Sequence, residues 1–228
     1  MKPKNIIYFG SPDFSAKILS SLVSPSKLEG DPATAGEGVT GNTQVVGVVT
    51  SPDAPLGRKQ IITPSPVAQM AAKYDLPIFK PEKLDADHLS HIKLLKPDIF
   101  LVVSYGKIIP SSYLTTPTIG TFNLHFSLLP KYRGALPISE AIKNGDTQTG
   151  VTLMVMDEAL DHGPIISAQN VTIDIDDNVA ALTTKLAKLG AKDLVLDLTA
   201  ENPAATVQYN TIVRKTALKS SFEPLGYP

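Results

Sequence analysis

Short, almost wholly apolar runs alternate along this chain with segments of helical spacing, and that alternation leaves few folds open to it. Asn5 to Phe9 (Asn-Ile-Ile-Tyr-Phe) is the first such run and is closed by Gly10. Ser11-Pro12-Asp13 then turns the chain, and Phe14, Ile18, Leu19 and Leu22 recur at helical spacing. Val45 to Val49 and Pro97 to Val103 are further buried-strand runs. Strands apolar on both faces belong to parallel sheets covered on both sides by helices. The sequence therefore predicts an α/β fold with a mostly parallel sheet and helices on both faces. Ligands of such sheets bind beyond the strand C-termini. The turn Gly10-Ser11-Pro12-Asp13 lacks the G-x-G-x-x-G spacing, so a dinucleotide site there has little support.

The remaining segments fill in this pattern. Residues 24–43 carry glycines, prolines and polar residues without periodicity and read as a mobile surface insertion. Ser51 to Pro66, with four prolines and Gly57-Arg58-Lys59 at its middle, reads as one long loop. Helices are expected at Val67–Tyr74, His88–Leu95, Leu136–Lys143 and Val179–Leu198. Strands are expected at Pro77–Phe79, Gly120–Leu124 and Gly150–Met156, with one or two more across Pro164–Ile173.

At 228 residues the chain suffices for one or two domains with a sizeable core. With 21 Lys+Arg against 22 Asp+Glu the net charge is −1, so contact with nucleic acid must be local and not a bulk effect. The absence of cysteine removes disulfides, thiolate catalysis and cysteine zinc sites. The absence of tryptophan weakens any case for a base-stacking platform. No apolar run approaches the roughly 20 residues of a membrane span, and the N-terminus is not a signal peptide, so a cytoplasmic protein is expected.

Chemistry concentrates in a few residues. His88 and His91 are three apart on an expected helix. They lack an obvious third ligand and read as a solvated face, so no metal site is expected. Asn123 and His125 are two apart where a strand runs into a loop, which places an amide and an imidazole on one face. Such a pair suits chemistry at a carbonyl, where one group steadies an oxyanion and the other handles protons. It also suits a structural hydrogen bond at a strand end. Asp161, in Asp161-His162-Gly163-Pro164, is either a turn residue or the carboxylate that orients His125.

Asn123-Leu124-His125-Phe126-Ser127-Leu128-Leu129-Pro130-Lys131-Tyr132-Arg133-Gly134 resembles the signature of the folate-dependent formyltransferases. Leu160-Asp161-His162-Gly163-Pro164 resembles their second signature. Phe9 to Phe14, Pro52 to Arg58 and Pro64 to Val67 are similar to the branch that acts on methionyl-tRNA. The resemblance runs from about residue 4 to about residue 210, with the insertion left out. It implies a Rossmann-like catalytic domain over 1–210 and a tail over 211–228. It also implies 10-formyltetrahydrofolate as formyl donor, initiator methionyl-tRNA as acceptor, and a monomer. Asn123, His125 and Asp161 would be the catalytic residues. Ser127, Leu128, Leu129 and Pro130, with Tyr105, Gly106 and Ile108 in the backbone segment after Val103, would bind the folate. Arg58 and Lys59 would meet the tRNA. The alternative within the same chemistry is a small amine acceptor, such as an amino sugar nucleotide or glycinamide ribonucleotide.

Three departures from that family stand out. Phe126 occupies a position usually held by Gly, where its ring either narrows the site or enters the core. Gln60-Ile61-Ile62 makes the recognition loop less basic than usual. The OB-type C-terminal barrel usual in bacterial members finds no room in these 228 residues, so the chain is expected to be either naturally short or a catalytic-domain fragment. Affinity for tRNA is then expected to rest on the 51–66 loop and to be weak and salt-sensitive.

Overall fold

The computed structural model describes residues 3–23 and 43–191. Residues 24–42 and 192–228 lie outside them, and with them nearly all of the expected insertion, the end of the last helix, the boundary at 210 and the tail. Strand β1 (Lys4–Gly10) leads through the Ser11-Pro12 turn into helix α1 (Asp13–Val23). Strand β2 (Thr43–Val49), strands β3 (Ala54–Leu56) and β4 (Ile61–Thr63), helix α2 (Pro66–Lys73) and strand β5 (Ile78–Phe79) follow. Next come α3 (Ala86–Leu94), β6 (Ile99–Val103), α4 (Ser111–Leu114) and β7 (Gly120–His125). The described chain closes with α5 (Pro137–Lys143), β8 (Gln148–Val155), β9 (Ile165–Thr172) and α6 (Val179–Leu189).

Seven strands form one sheet in the order β5-β2-β1-β6-β7-β8-β9. The first five are parallel, while β8 and β9 run antiparallel at one edge. The apolar runs predicted the parallel part. They do not encode the reversal at β8, where β7 and β8 pair antiparallel although α5 lies between them in sequence. The segment Pro164–Ile173 forms a single strand. Helix α4 was not expected, since four residues carry no readable period.

Two cores flank the sheet. Ile6, Tyr8, Leu101, Phe122 and Leu124 face α1, α2, α5 and α6. Ile7, Phe9, Phe100 and Val102 face α3 and α4. Each fully buried large side chain contributes about 1.5–3 kcal/mol. Local signals start the helices. Ser65 caps α2 by accepting from the Ala68 N–H at 3.0 Å, with Pro66 in the first turn. Asp85 and Asn178 cap α3 and α6 in the same way. Gly10 is required by close approach, because a Cβ there would overlap Ser15 Oγ and crowd the Val103 carbonyl oxygen.

The expected 51–66 loop contains a hairpin. β3 and β4 pair antiparallel, with Leu56 opposite Ile61 and Pro55 opposite Ile62. The prolines argued against a strand here, but a two-stranded ribbon outside the main sheet has free edges where Pro is tolerated. A hydroxyl pair closes its base, with buried Thr50 Oγ1 2.6 Å from Ser65 Oγ.

Candidate active site

Phe122, Leu124 and Phe126 point into the core under α1 and α6, whereas Thr121, Asn123 and His125 face the other way. On that second face Thr121 donates to the Leu114 carbonyl at the end of α4. Asn123 and His125 are covered there by two loops, 126–136 and 156–164.

Asp161 joins these pieces. Its Oδ1 accepts from Asn123 Nδ2 at 3.1 Å. Its Oδ2 accepts from the Gly134 N–H at 2.8 Å and lies 3.5 Å from His125 Nδ1. The His125 and Asp161 side chains are only 6% and 9% exposed, so they meet with little solvent between them. His125 Nε2 lies 2.9 Å from the Tyr132 carbonyl oxygen. A carbonyl only accepts, so this contact fixes a proton on Nε2 and turns Nδ1 toward Asp161. Asn123 is half-buried and commits one of its two amide hydrogens to Asp161, which leaves the second for another acceptor. The expected residues Asn123, His125 and Asp161 are thus brought together.

The turn that carries Asp161 is itself held. Asp161 adopts a left-handed φ of 45°. Asp157 accepts from the Ala159 N–H at 3.0 Å and pairs with His162 Nδ1 at 3.0 Å. Ser111 donates to Glu158 at 2.6 Å. On the other side, Thr152 lies directly opposite His125 in the β7–β8 ladder. Its hydroxyl donates to the Ser127 carbonyl at 2.7 Å and accepts from the Leu129 N–H at 3.2 Å. Lys131 pairs with Asp146 at 2.7 Å. Burial opposes ionisation of Asp146 and is the largest single influence on it, but hydrogen bonds from Lys131 and Tyr132, with the Lys131 charge, together hold the carboxyl below its ordinary range.

The residues expected to bind folate divide. Ser127 and Leu129 are buried and serve the loop itself, Ser127 by donating to the Lys131 carbonyl. Leu128 is half-buried and lines a groove of about 420 Å³ with Ala168, Gln169 and Asn170 of β9. Pro130 is exposed. Gly106, in a left-handed conformation, and Ile108, 91% exposed, lie in the segment after β6. That segment runs beside the cluster, because Val102 pairs with Asn123 across the β6–β7 ladder. Tyr105 is buried. Burial, with the neighbouring Tyr113, pushes its phenol up to about 12, and its hydroxyl has no partner among the described residues. Arg58 and Lys59 are exposed at the tip of the β3–β4 hairpin, which is a sheet separate from the one that carries Asn123. The groups that sequence reasoning missed are the Tyr132 carbonyl and the Gly134 N–H. Backbone atoms leave little trace in sequence. Only the glycine at 134, with φ of 101°, gave any signal.

Phe126 resolves to the core. It is 2% exposed, and its ring stacks edge-on against Phe14 with centroids 5.0 Å apart. Phe126→Ala is expected to cost about 3–5 kcal/mol of stability, as for other buried aromatic truncations. Denaturant unfolding checks this. A loss below about 1 kcal/mol would contradict the packing described.

Among the described residues no group of three or more His, Asp or Glu side chains converges to hold a metal ion. His88 instead pairs with Asp85 at 2.7 Å. No helix among them is long and apolar enough to cross a membrane.

A family model described as formyl transferase matches residues 31–198. The chain belongs to the formyl transferase family. Curated relatives include the methionyl-tRNA formyltransferase of Staphylococcus epidermidis, 42% identical over 188 residues that cover 82% of this chain and 55% of that one. The methionyl-tRNA formyltransferase of Staphylococcus aureus (strain Newman) is 43% identical over 187 residues, with the same coverage. This formyl transferase chain thus spans about half the length of the curated relatives it matches. Among solved structures, phosphoribosylglycinamide formyltransferase from Bacillus halodurans superposes with a TM-score of 0.68 at 22% identity, over 87% of this chain and 98% of that one. A formyltetrahydrofolate deformylase from Pseudomonas syringae gives 0.64 at 18% identity, over 88% and 61%. At those identities the structural likeness carries the formyl transferase fold alone.

Proposed function

We propose that this chain transfers a formyl group from 10-formyltetrahydrofolate to the methionine amino group of initiator methionyl-tRNA, in the cytoplasm and as a monomer. The observation that carries the reaction class is the contact set of Asp161 with Asn123, His125 and Gly134. The amine nitrogen forms a bond to the formyl carbon, and the bond from that carbon to the folate nitrogen breaks. One proton leaves the amine and one reaches the folate nitrogen. Negative charge develops on the formyl oxygen in between. The free amide hydrogen of Asn123 donates to that oxygen, and protonated His125 adds positive charge beside it. Asp161 keeps His125 oriented and sits where a water molecule can pass the proton on. The segment 103–108 and the loop 127–130 flank the cluster and are the folate-binding elements of this reading. Backbone groups at Gly106 serve there, together with the exposed side chains of Ile108, Leu128 and Pro130.

The acceptor follows from two things. The curated relatives at 42% and 43% identity are named methionyl-tRNA formyltransferases. The hairpin with Arg58 and Lys59 at its tip suits a long polyanion and would serve no purpose for a small amine. A small-amine acceptor is the second reading, favoured only by the shared fold of the phosphoribosylglycinamide enzymes.

The test is formyl transfer from 10-formyltetrahydrofolate to charged initiator methionyl-tRNA, run beside an amino sugar nucleotide and glycinamide ribonucleotide as competing acceptors. Transfer to the tRNA, weakening steeply as salt rises, is the expected result. Transfer only to a small amine would move the protein to the second reading.

A further inference from the structure

We infer that Arg133 and Leu160 form the acceptor subsite at the mouth of the Asn123–His125–Asp161 cluster: Arg133 takes a phosphate of the acceptor, and Leu160 takes the apolar side chain next to its amine. The inference rests on the tRNA reading above and extends it to the residues that choose the acceptor.

Arg133 stands between the two backbone groups that hold the cluster. The carbonyl of Tyr132 before it engages His125, and the N–H of Gly134 after it engages Asp161. Its own side chain is exposed and makes no ion pair or hydrogen bond among the described residues. Lys131, two residues before it, is by contrast committed to Asp146. A guanidinium left unpaired beside a reaction centre is fitted to a phosphate, which it binds through two parallel N–H groups.

Leu160 supplies the second, independent feature. It precedes Asp161 and is 72% exposed, although the turn around it is tightly bonded. Its Cδ2 lies 3.9 Å from the position a Cβ would take on Gly134, so it stands directly against the Arg133–Gly134 segment. The cluster's mouth therefore presents a cation and an apolar wall side by side. An amine on an apolar aminoacyl group, esterified to a phosphodiester chain, matches both. Glycinamide ribonucleotide offers the phosphate but no apolar side chain.

Arg133→Ala, Arg133→Lys and Leu160→Ser test this, each with wild type alongside. Both residues are exposed, so melting temperatures are expected to stay unchanged. Kinetics are measured with initiator tRNA charged with methionine or glycine, and with the folate donor varied separately. Arg133→Ala should raise KM for both charged tRNAs about 10-fold with the donor KM unchanged, and Arg133→Lys should recover part of it. Leu160→Ser should raise KM for the methionyl form and leave the glycyl form unchanged. Equal effects on both forms, or none, would overturn the Leu160 assignment. Binding of uncharged tRNA to wild type and Arg133→Ala is measured in parallel. Weaker binding by the variant supports the Arg133 assignment, even if the wild type proves inactive on methionyl-tRNA and the functional reading itself fails. Equal binding by the two proteins, or no binding by wild type, overturns it.

Discussion

Asn123→Ala is expected to lower kcat by on the order of 100- to 1000-fold while leaving the donor KM nearly unchanged. The amide holds Asp161 with one hydrogen and, in the proposed mechanism, offers the other where charge develops on the formyl oxygen. An interaction made only in the transition state lowers kcat and kcat/KM together when it is lost. His125→Ala is expected to fall in the same range, because it removes the imidazole of the proposed mechanism and one neighbour of Asp161. The two losses should not add, since both residues act around one carboxylate. Single-turnover rates of the two single variants and the double variant decide this. A double variant that loses the full product of the single effects would mean that Asn123 and His125 act independently, against the shared-carboxylate geometry.

Gly163→Ala is expected to slow the proposed formyl transfer strongly without touching a reacting atom. A Cβ on Gly163 would overlap the backbone carbonyl oxygen of Val155, which has no side-chain freedom with which to retreat. Val155 is also tied to this turn, since its N–H donates to the Pro164 carbonyl at 2.9 Å. The turn must therefore shift, and Asp161 shifts with it. Displacement of a reacting group by about 1 Å costs roughly 100-fold in rate, and overpacking costs about 1–3 kcal/mol in stability. The expected outcome is a folded protein with a lowered melting temperature and a rate down by roughly two orders of magnitude. Wild-type kinetics in Gly163→Ala would show that the turn can adjust without moving the carboxylate.

The parallel half of the sheet was legible because Asn5–Phe9, Val45–Val49 and Ile99–Val103 are apolar at nearly every position, a pattern that only two-sided burial explains. The antiparallel edge was not, because β8 is also buried on both faces and strand direction leaves no mark on composition. The pairing of Asn123 with His125 was readable from a spacing of two along a strand. Its closure by Asp161 was not readable from spacing, since 38 residues separate Asp161 from Asn123, and it rested on the resemblance of two motifs. The burial of Ser127 and Leu129 illustrates a further limit. A motif marks the residues that a site needs, but it does not separate those that face a ligand from those that hold the loop.

The Asp161 carboxylate, on its own turn, gathers contacts from a strand and the loop after it that lie 27 to 38 residues earlier in the sequence. None of these contacts exists in a short fragment. Reactivity is therefore a late property of this chain: a folding intermediate that has formed β7 but not docked the 156–164 turn carries the right residues and no working centre. On the proposed reading, the appearance of turnover during refolding would report the docking of a single turn.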